Sequence, residues 1–506
     1  MSATRDTAGQ VGLILGPAAA LALLLFADLD PERPAATATA AVAVWMAVWW
    51  MTEAAPLAVT ALLPVVLYPL LGVMSGKATA PYYMNSIIFL FLGGFLVALA
   101  MERWQLHRRI ALAIMLALGG GPRRIVLGFM LAAGFLSMWI SNTATAMMMA
   151  PIAVAVARRV SREGRERDAA LFGAALLLGT AYGASIGGLA TLIGTPPNPL
   201  FVSNLALLYP DAPEIGFASW MILGLPLSVV FMFVAWGVIG RMFRLDRLGD
   251  LVDHGVFREE SAALGPMTYE EKIVMADFVL LALLWLTRKG LDVGSLSLPG
   301  WSDLLSHGSL VDDGTVAIAF AVLLFLVPSR RPGTRILDWS ASRDLPWGIV
   351  LLFGGGFALA AGFTQSGLTI WLGERMQGLA ALPPVLLVMG VCLTITFLTE
   401  LTSNTATTQM ALPVLAGVAG ATGINPLLLM VPATLSASCA FMLPVATPPN
   451  AIIFGTGRVT IRQMSRTGLV LNLIGVVLIT AAVWTLGGAA FGTDLSVSPT
   501  WAGGGH

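Results

Sequence analysis

Long apolar segments separated by short polar ones run the whole length of the chain. Eleven of these segments have the length of a membrane crossing, since a helix needs about 20 mostly apolar residues to span a bilayer. They lie at 11–27, 36–51, 57–73, 86–101, 169–208, 217–240, 273–287, 314–328, 347–364, 426–457 and 467–488. This pattern predicts an all-α polytopic membrane protein with eleven transmembrane helices.

Two further apolar segments are predicted to be re-entrant hairpins. Residues 125–157 carry no charge and would form a helix about 50 Å long, against a hydrocarbon core of roughly 30 Å. Arginines flank both ends of this segment, at Arg123, Arg124, Arg158, Arg159 and Arg162. Because positive charge marks the cytoplasmic side, both ends are expected there. Residues 383–420 have a similar length without flanking Arg or Lys, as expected for a hairpin that enters from the opposite face.

The distribution of charge sets the predicted orientation. Threading eleven crossings from an inside N-terminus places most arginine clusters on the cytoplasmic side, and it leaves the C-terminus outside. Arg288 and Lys289 are the exception. The composition agrees with a membrane protein, since 57% of the 506 residues are hydrophobic and 11% are charged. The formal net charge is zero and no long basic tract occurs, so no nucleic-acid partner is expected.

Two short strings occur twice. Ser-Asn-Thr-Ala-Thr begins at Ser141 and again at Ser403, and Thr-Pro-Pro-Asn begins at Thr195 and again at Thr447. The first pair is offset by 262 positions and the second by 252. A third string, Gly-Gly-Phe, shares the first offset, at 93–95 and 355–357. The threaded helices that carry the two copies run in opposite directions, so the chain is predicted to be an inverted-topology repeat.

The repeated strings predict ion sites at membrane depth. A returning half-helix begins at Thr143 and at Thr405, so free N–H groups and the positive end of the helix dipole favour an anion there. The proline pairs break the fifth and tenth crossings and expose the carbonyl groups just before them, at Gly194 and Ala446. Carbonyl, hydroxyl and amide oxygens suit a small hard cation. Each half is therefore expected to supply a cation site and half of an anion site.

Structural uses compete with this interpretation, because small hydroxyl residues also support close helix packing in membranes. The recurrence of both strings, in order and at matched places, argues against that alternative. Glu400, three residues before the second tip, has Met138 as its counterpart and is either a hydrogen-bond anchor or a protonatable modulator. An enzyme is not expected, because no nucleophile and base pair, histidine cluster or intramembrane carboxylate pair is found.

The paired tips, the paired breaks and the sequence Glu53-Ala54-Ala55-Pro56-Leu57 resemble the divalent anion/sodium symporter family over nearly the whole chain. The resemblance implies eleven transmembrane helices with two re-entrant hairpins, co-transported Na⁺ without an organic cofactor, and a homodimer. It also implies a transport domain that moves like an elevator against a scaffold. The implied division is scaffold at 1–120, transport at 121–240, cytoplasmic linker at 241–272, scaffold at 273–382 and transport at 383–506. The transport parts contain the hairpins at 125–157 and 383–420 and the broken helices at 169–208 and 426–457.

The resemblance further implies individual ligands. One sodium site is expected at Ser137, Ser141, Asn142 and the carbonyl of Gly194. The other is expected at Thr399, Asn404 and the carbonyl of Ala446. Substrate contacts are expected at Ser141, Asn142, Thr143, Ser403, Asn404, Thr405, Thr195 and Thr447.

Together these features predict a secondary transporter that uses the sodium gradient to import a C4-dicarboxylate such as succinate, malate or fumarate. A nearly symmetric pocket suits an anion with a carboxylate at each end. A sodium-independent dicarboxylate exchanger and a sodium-sulfate symporter stay open as alternatives. An anion channel fits the broken helices but not the inverted repeat, which suits alternating access. The excess of Arg over Lys and the short loops indicate a bacterial inner membrane.

Overall fold

The computed structural model describes residues 7–159, 166–247, 255–293 and 296–502, and these are almost entirely helical. The first half contains α1 Thr7–Phe26, α2 Pro34–Thr52, α3 Leu57–Thr60, α4 Leu63–Leu70, α5 Gly76–Thr79, α6 Ser86–Arg103, α7 Leu106–Leu118, α8 Pro122–Ser137, α9 Asn142–Arg159, α10 Glu166–Gly188, α11 Pro197–Leu208 and α12 Phe217–Met242. The linker contains α13 Gly255–Ala263. The second half contains α14 Tyr269–Thr287, α15 Asp313–Leu326, α16 Trp347–Gln365, α17 Leu368–Arg375, α18 Pro384–Thr399, α19 Asn404–Thr422, α20 Leu427–Ala437, α21 Pro448–Gly455 and α22 Ile461–Phe491.

A small antiparallel sheet follows α14. Strand β1 is Leu291–Val293 and strand β2 is Leu296–Leu298, with Leu291 opposite Leu298. The two residues between the strands lie outside the described residues, as does Arg162 of the predicted basic flank.

Polar residues set the start of several long helices. The Asn85 side chain accepts a hydrogen bond from the Ile88 N–H at 3.2 Å and caps α6. Thr268 and Thr460 form reciprocal capping boxes at the starts of α14 and α22. Proline occupies the first turn of α8 and α18, where its missing N–H has no helical partner to lose.

Seven described segments are long and apolar enough to cross a membrane by length and composition. They are 7–26, 34–52, 76–103, 166–188, 217–242, 347–365 and 461–491. Shorter apolar helices occupy 57–70, 313–326, 384–399 and 427–437. The predicted crossing at 273–287 corresponds to α14, which also carries the acidic residues Glu270, Glu271 and Asp277. A count of eleven crossings therefore stays a prediction.

The predicted interruptions occur where the repeated strings lie. The segment 125–157 forms α8 and α9 with a gap at 138–141, and 383–420 forms α18 and α19 with a gap at 400–403. The segments 169–208 and 426–457 are likewise each divided into two helices, by the breaks 189–196 and 438–447. The predicted crossing at 57–73 is also divided, into α3 and α4, which the apolar pattern does not indicate.

Two short helices, α7 and α17, were not predicted and extend the repeat. The starts of α7, α8 and α9 precede those of α17, α18 and α19 by the same 262 positions. Left-handed backbone leads into both short helices, with φ of 58° at Gln105 and 76° at Gly367. Such φ values let the chain turn sharply, and glycine adopts them with little strain. The matched turns show that the repeat includes backbone geometry as well as sequence.

Arg288 and Lys289, the exception to the charge pattern, lie in an ion network. The buried Arg288 side chain donates from Nε to Asp313 at 2.5 Å and from Nη2 to Glu214 at 2.7 Å. Asp313 also accepts from the Phe217 N–H at 2.8 Å, at the start of α12. Burial raises the pKa of Glu214, but its hydrogen bonds to Lys289 and Arg288 outweigh that effect and hold the pKa below its ordinary value. The network joins α12, α14 and α15 at one end of the molecule.

Candidate substrate and sodium site

The first hairpin tip lies between α8 and α9. The Ser137 hydroxyl, fully buried at the end of α8, donates to Oδ1 of Asn142, the first residue of α9. The Ser141 hydroxyl accepts from the Ala144 N–H at 3.1 Å and caps α9. Ser141, Asn142 and Thr143 are half-buried, so their side chains reach accessible space. The tip therefore presents hydroxyl and amide oxygens at the N-terminus of a helix.

The first break brings a backbone carbonyl to this tip. A Cβ built on Gly188 would lie 2.9 Å from Asn142 Oδ1 and 2.9 Å from the Gly194 carbonyl oxygen. Both oxygens thus converge on the same small space beside Gly188, where a side chain would not fit. Through its hydrogen bond, Ser137 is tied to the same point. The structure therefore brings together three of the four residues predicted for the first sodium site, with Ser141 adjacent in the chain.

The asparagine of the first Thr-Pro-Pro-Asn string holds this break in shape. Asn198 is fully buried, and its Nδ2 donates to the carbonyls of Gly188 at 3.1 Å and Thr191 at 2.7 Å. The Thr191 hydroxyl in turn donates to the Met138 carbonyl at 2.5 Å. The break is therefore fastened to the hairpin tip, a role for Asn198 and Thr191 that the sequence interpretation did not assign.

The second tip and break repeat this arrangement. The Thr399 hydroxyl lies 2.7 Å from Asn404 Oδ1 and 2.8 Å from the Ala437 carbonyl oxygen. Asn450 Nδ2 donates to the carbonyls of Ala440 at 3.0 Å and Leu443 at 3.1 Å. These three residues stand 252 positions after Asn198, Gly188 and Thr191. Thr399 and Asn404 of the second predicted sodium site are therefore in contact, while the approach of the Ala446 carbonyl to them stays a prediction.

The predicted substrate residues divide by exposure. Ser141, Asn142, Thr143, Ser403 and Asn404 are half-buried, whereas Thr405, Thr195 and Thr447 are buried. The Thr195 and Ser438 hydroxyls are 3.3 Å apart and buried, so the two breaks contact each other inside the protein. The Thr447 hydroxyl accepts from the Asn450 N–H at 3.4 Å and caps α21. Ser438 lies outside the repeated strings, so the sequence gives no signal for this contact.

Glu400 is a hydrogen-bond anchor. Its Oε1 accepts from the backbone N–H groups of Phe441 at 2.7 Å and Met442 at 2.8 Å, and its Oε2 accepts from Leu443 at 3.1 Å. The Asn472 side chain of α22 donates to Oε1 at 2.8 Å. The carboxylate therefore fastens the second break to the second tip, which favours the first of the two roles that the sequence left open.

Comparison with known proteins decides the family. The family described as the sodium:sulfate symporter transmembrane region matches residues 14–489. The sodium-dependent dicarboxylate transporter SdcS of Staphylococcus saprophyticus is 43% identical over 493 residues, which cover 96% of this chain and 93% of the relative. SdcS of Staphylococcus aureus is 43% identical over 498 residues, covering 97% and 94%.

The chain belongs to the divalent anion/sodium symporter family. Membership of this family confirms the prediction of a transporter rather than an enzyme, and of an integral protein of the bacterial plasma membrane.

Two solved structures share the fold of this symporter family member at low identity. MtrF of Neisseria gonorrhoeae, described among antimetabolite efflux pumps, gives a TM-score of 0.55 at 14% identity and covers 86% of each chain. The YdaH transporter of Alcanivorax borkumensis gives a TM-score of 0.55 at 16% identity, covering 83% of this chain and 88% of its own. At these identities the likeness concerns the fold alone.

Proposed function

We propose that the protein is a sodium-coupled symporter that imports a C4-dicarboxylate such as succinate, malate or fumarate. The observation that carries the proposal is the doubled site, in which each hairpin tip and helix break presents hard oxygen ligands beside a helix N-terminus. Relatives named as sodium-dependent dicarboxylate transporters support the choice of ion and substrate.

The first sodium ion is assigned to the space beside Gly188. Its ligands are Ser137, Ser141, Asn142 and the carbonyl of Gly194. The convergence of Asn142 Oδ1 and the Gly194 carbonyl on this space supports the assignment. Oxygen ligands without thiolate or imidazole suit a hard cation.

The second sodium ion is assigned to Thr399, Asn404 and the carbonyl of Ala446. The contact between Thr399 and Asn404 supports this assignment, because it repeats the contact between Ser137 and Asn142.

The substrate is assigned to the space between the two tips. One carboxylate meets Ser141, Asn142 and Thr143, and the other meets Ser403, Asn404 and Thr405, with Thr195 and Thr447 nearby. The N-termini of α9 and α19 favour negative charge at these places. Bound sodium compensates the remaining charge, so the cations bind before the dianion.

Transport follows an elevator movement within a homodimer of eleven-crossing protomers, with the N-terminus inside and the C-terminus outside. The scaffold comprises 1–120 and 273–382, the transport domain comprises 121–240 and 383–506, and 241–272 forms the cytoplasmic linker. One difference between the repeats supports such movement. Ile193 of the first break packs against Gly94 of α6, whereas its counterpart Val445 is 83% exposed.

Uptake of labelled succinate into proteoliposomes, with and without an inward sodium gradient, tests the proposal. Uptake that saturates and needs the gradient is expected. Uptake that ignores sodium but requires internal dicarboxylate would identify an exchanger. Inhibition by sulfate rather than by succinate analogues would identify a sulfate symporter. Sulfate is the substrate that the family's description names. Unitary currents with non-saturating flux would identify a channel.

A further inference from the structure

A single buried carboxylate organises the second helix break. Glu400 is 3% exposed and receives four hydrogen bonds, three from consecutive backbone N–H groups at 441–443 and one from Asn472. Every partner is a donor, which suits a carboxylate because an ionised carboxyl group only accepts hydrogen bonds. Hydrogen bonds to a charged acceptor are stronger than neutral ones, so this contact strongly restrains the break.

The restrained segment leads directly to the predicted carbonyl ligand. Phe441, Met442 and Leu443 precede Ala446 by only a few residues in the same break. Asn450 holds the opposite side of this turn through the carbonyls of Ala440 and Leu443. The N–H groups are therefore fixed by Glu400 and the carbonyls by Asn450. Glu400 and Asn450 together fix the position of the backbone just before Ala446.

Glu400 also lies next to a predicted side-chain ligand. Thr399 is its neighbour in the chain, and the Thr399 hydroxyl contacts both Asn404 and the Ala437 carbonyl. The end of α18 thus contacts the second break at two places. Thr399 bonds to the last residue of α20, and Glu400 bonds to the turn that follows. A change at Glu400 would shift the break relative to Thr399.

The first repeat holds its break without a charge. Met138 occupies the position that matches Glu400, and its carbonyl accepts from the Thr191 hydroxyl. The backbone of Gly194 lies close against that of Gly188, since a Cβ on Gly194 would be 2.6 Å from the Gly188 carbonyl oxygen. Close glycine packing thus fixes the first break, while the buried Glu400 side chain fixes the second.

We propose that Glu400 is a positioning residue that sets the affinity of the second sodium site and leaves the first site unaffected. The inference rests on the proposed sodium coupling. Glu400 acts through the backbone of 441–443 and is not itself a ligand. The two sites therefore share their ligand chemistry but differ in how their backbone is held, and only the second depends on a buried carboxyl group.

Glu400→Gln tests the inference, because glutamine keeps the size but replaces one carboxylate oxygen with an NH₂ group, which cannot accept a hydrogen bond from the turn. Purified protein in nanodiscs is titrated with sodium, against choline at constant ionic strength, and thermal stability is followed without dicarboxylate. The sodium concentration at half-maximal stabilisation is expected to rise about tenfold, the loss expected for a charged hydrogen bond. In proteoliposomes the same shift is expected for succinate uptake, with the maximal rate recovered at saturating sodium and a Hill coefficient reduced toward one.

A matched control separates positioning from lost stability. Asp313→Asn also alters a buried carboxylate that accepts a backbone N–H, but it does so in the network that joins α12, α14 and α15 and not in the second tip or break. It is expected to lower the melting temperature without changing the sodium concentration at half-maximal response. Asn472→Ala removes one donor from Glu400 but keeps its carboxylate and its three contacts with the backbone of 441–443, so a smaller, two- to threefold shift is expected. This milder variant serves if Glu400→Gln does not fold.

The possible outcomes distinguish this inference from the proposed function. A wild type that responds to sodium, with Glu400→Gln and Asn472→Ala responding at the same concentrations, overturns the inference alone. A reduced maximal rate that saturating sodium does not restore also overturns it, because the role would then be general stability. A wild type without any sodium response overturns the proposed coupling and this inference with it.

Discussion

Replacing Gly188 with alanine is expected to close the first proposed sodium site. The added methyl group would lie 2.9 Å from both Asn142 Oδ1 and the Gly194 carbonyl oxygen, closer than Cβ atoms approach other heavy atoms in real structures. Both oxygens would have to move by roughly 0.5 Å to reach ordinary contact with the new carbon. The backbone of Gly188 itself is not in the left-handed region, so alanine introduces no strain there.

The size of the effect follows from the tight geometry of cation binding. Ca²⁺, which has nearly the radius of Na⁺, is held by oxygen at roughly 2.3–2.6 Å, so a displacement of about 0.5 Å at two ligands is a large fraction of the bond. We expect sodium affinity at this site to fall at least about tenfold, or about 1.4 kcal/mol. Sodium-dependent thermal stabilisation and the sodium dependence of succinate uptake both measure it.

Gly173→Ala on the same helix is the matched control. It lies fifteen residues away, about 22 Å along α10, and its Cβ would be 3.2 Å from the Ala157 methyl carbon and in van der Waals contact with little else. Alanine favours helix over glycine by about 1 kcal/mol, so the helix should not be weakened. Because the added methyl group lies far from Asn142 and Gly194, this variant should retain wild-type sodium dependence. Equal sodium dependence of Gly188→Ala and Gly173→Ala would refute the placement of the ion between Asn142 and Gly194.

Three further predictions concern the tips, the ion network and the two breaks. Asn142→Ala and Asn404→Ala should each abolish succinate uptake while the protein still elutes at the volume of the wild type, and normal transport in either variant would mean that the tips are only structural. Arg288→Ala leaves a buried carboxylate without its partner and should cost about 3–5 kcal/mol of stability, measured as a lower melting temperature; an unchanged value would contradict the network's importance. A cysteine at the exposed Val445 should react with a water-soluble maleimide in this conformation, while one at the half-buried Ile193 should react more slowly, and equal labelling would contradict the difference between the breaks.

The repeated strings carry enough physical information to predict the interruptions of the helices. Proline pairs remove backbone donors, and small polar residues within a long apolar segment need a special setting at membrane depth. The structure places gaps at 138–141, 189–196, 400–403 and 438–447, where these strings predicted them. Ser137 and Asn142, which were assigned to one sodium site, are hydrogen-bonded to each other, and so are Thr399 and Asn404 of the other site, while sodium binding by them stays a prediction.

The features that the sequence did not reveal depend on contacts between distant backbone groups. Glu400 accepts hydrogen bonds from the N–H groups of 441–443, some forty residues later in the chain. Every residue except proline has such a donor, so no residue type indicates this contact. The close approach of the Gly188 backbone to Asn142 and to the Gly194 carbonyl is likewise a contact that no residue pattern indicates. Helix α7 was missed for another reason, since His107, Arg108 and Arg109 interrupt its apolar pattern over only thirteen residues.

The differences between the two repeats have a consequence for the proposed transport cycle. Gln409 of α19 fills the space beside Gly356 of α16, where a Cβ would lie 1.4 Å from its Oε1, and it donates to the Leu352 carbonyl at 3.1 Å. Its counterpart in the first repeat, Met147, is 62% exposed. Alternating access in an inverted repeat requires two halves of matching sequence in different conformations. When each half adopts the conformation of the other, the site opens to the other side of the membrane. In the opposite state, Met147 is then expected to be buried beside Gly94, and Gln409 is expected to move away from Gly356. Gly356→Ala would then disfavour the present conformation, and a Met147→Cys reporter would become less reactive in that background.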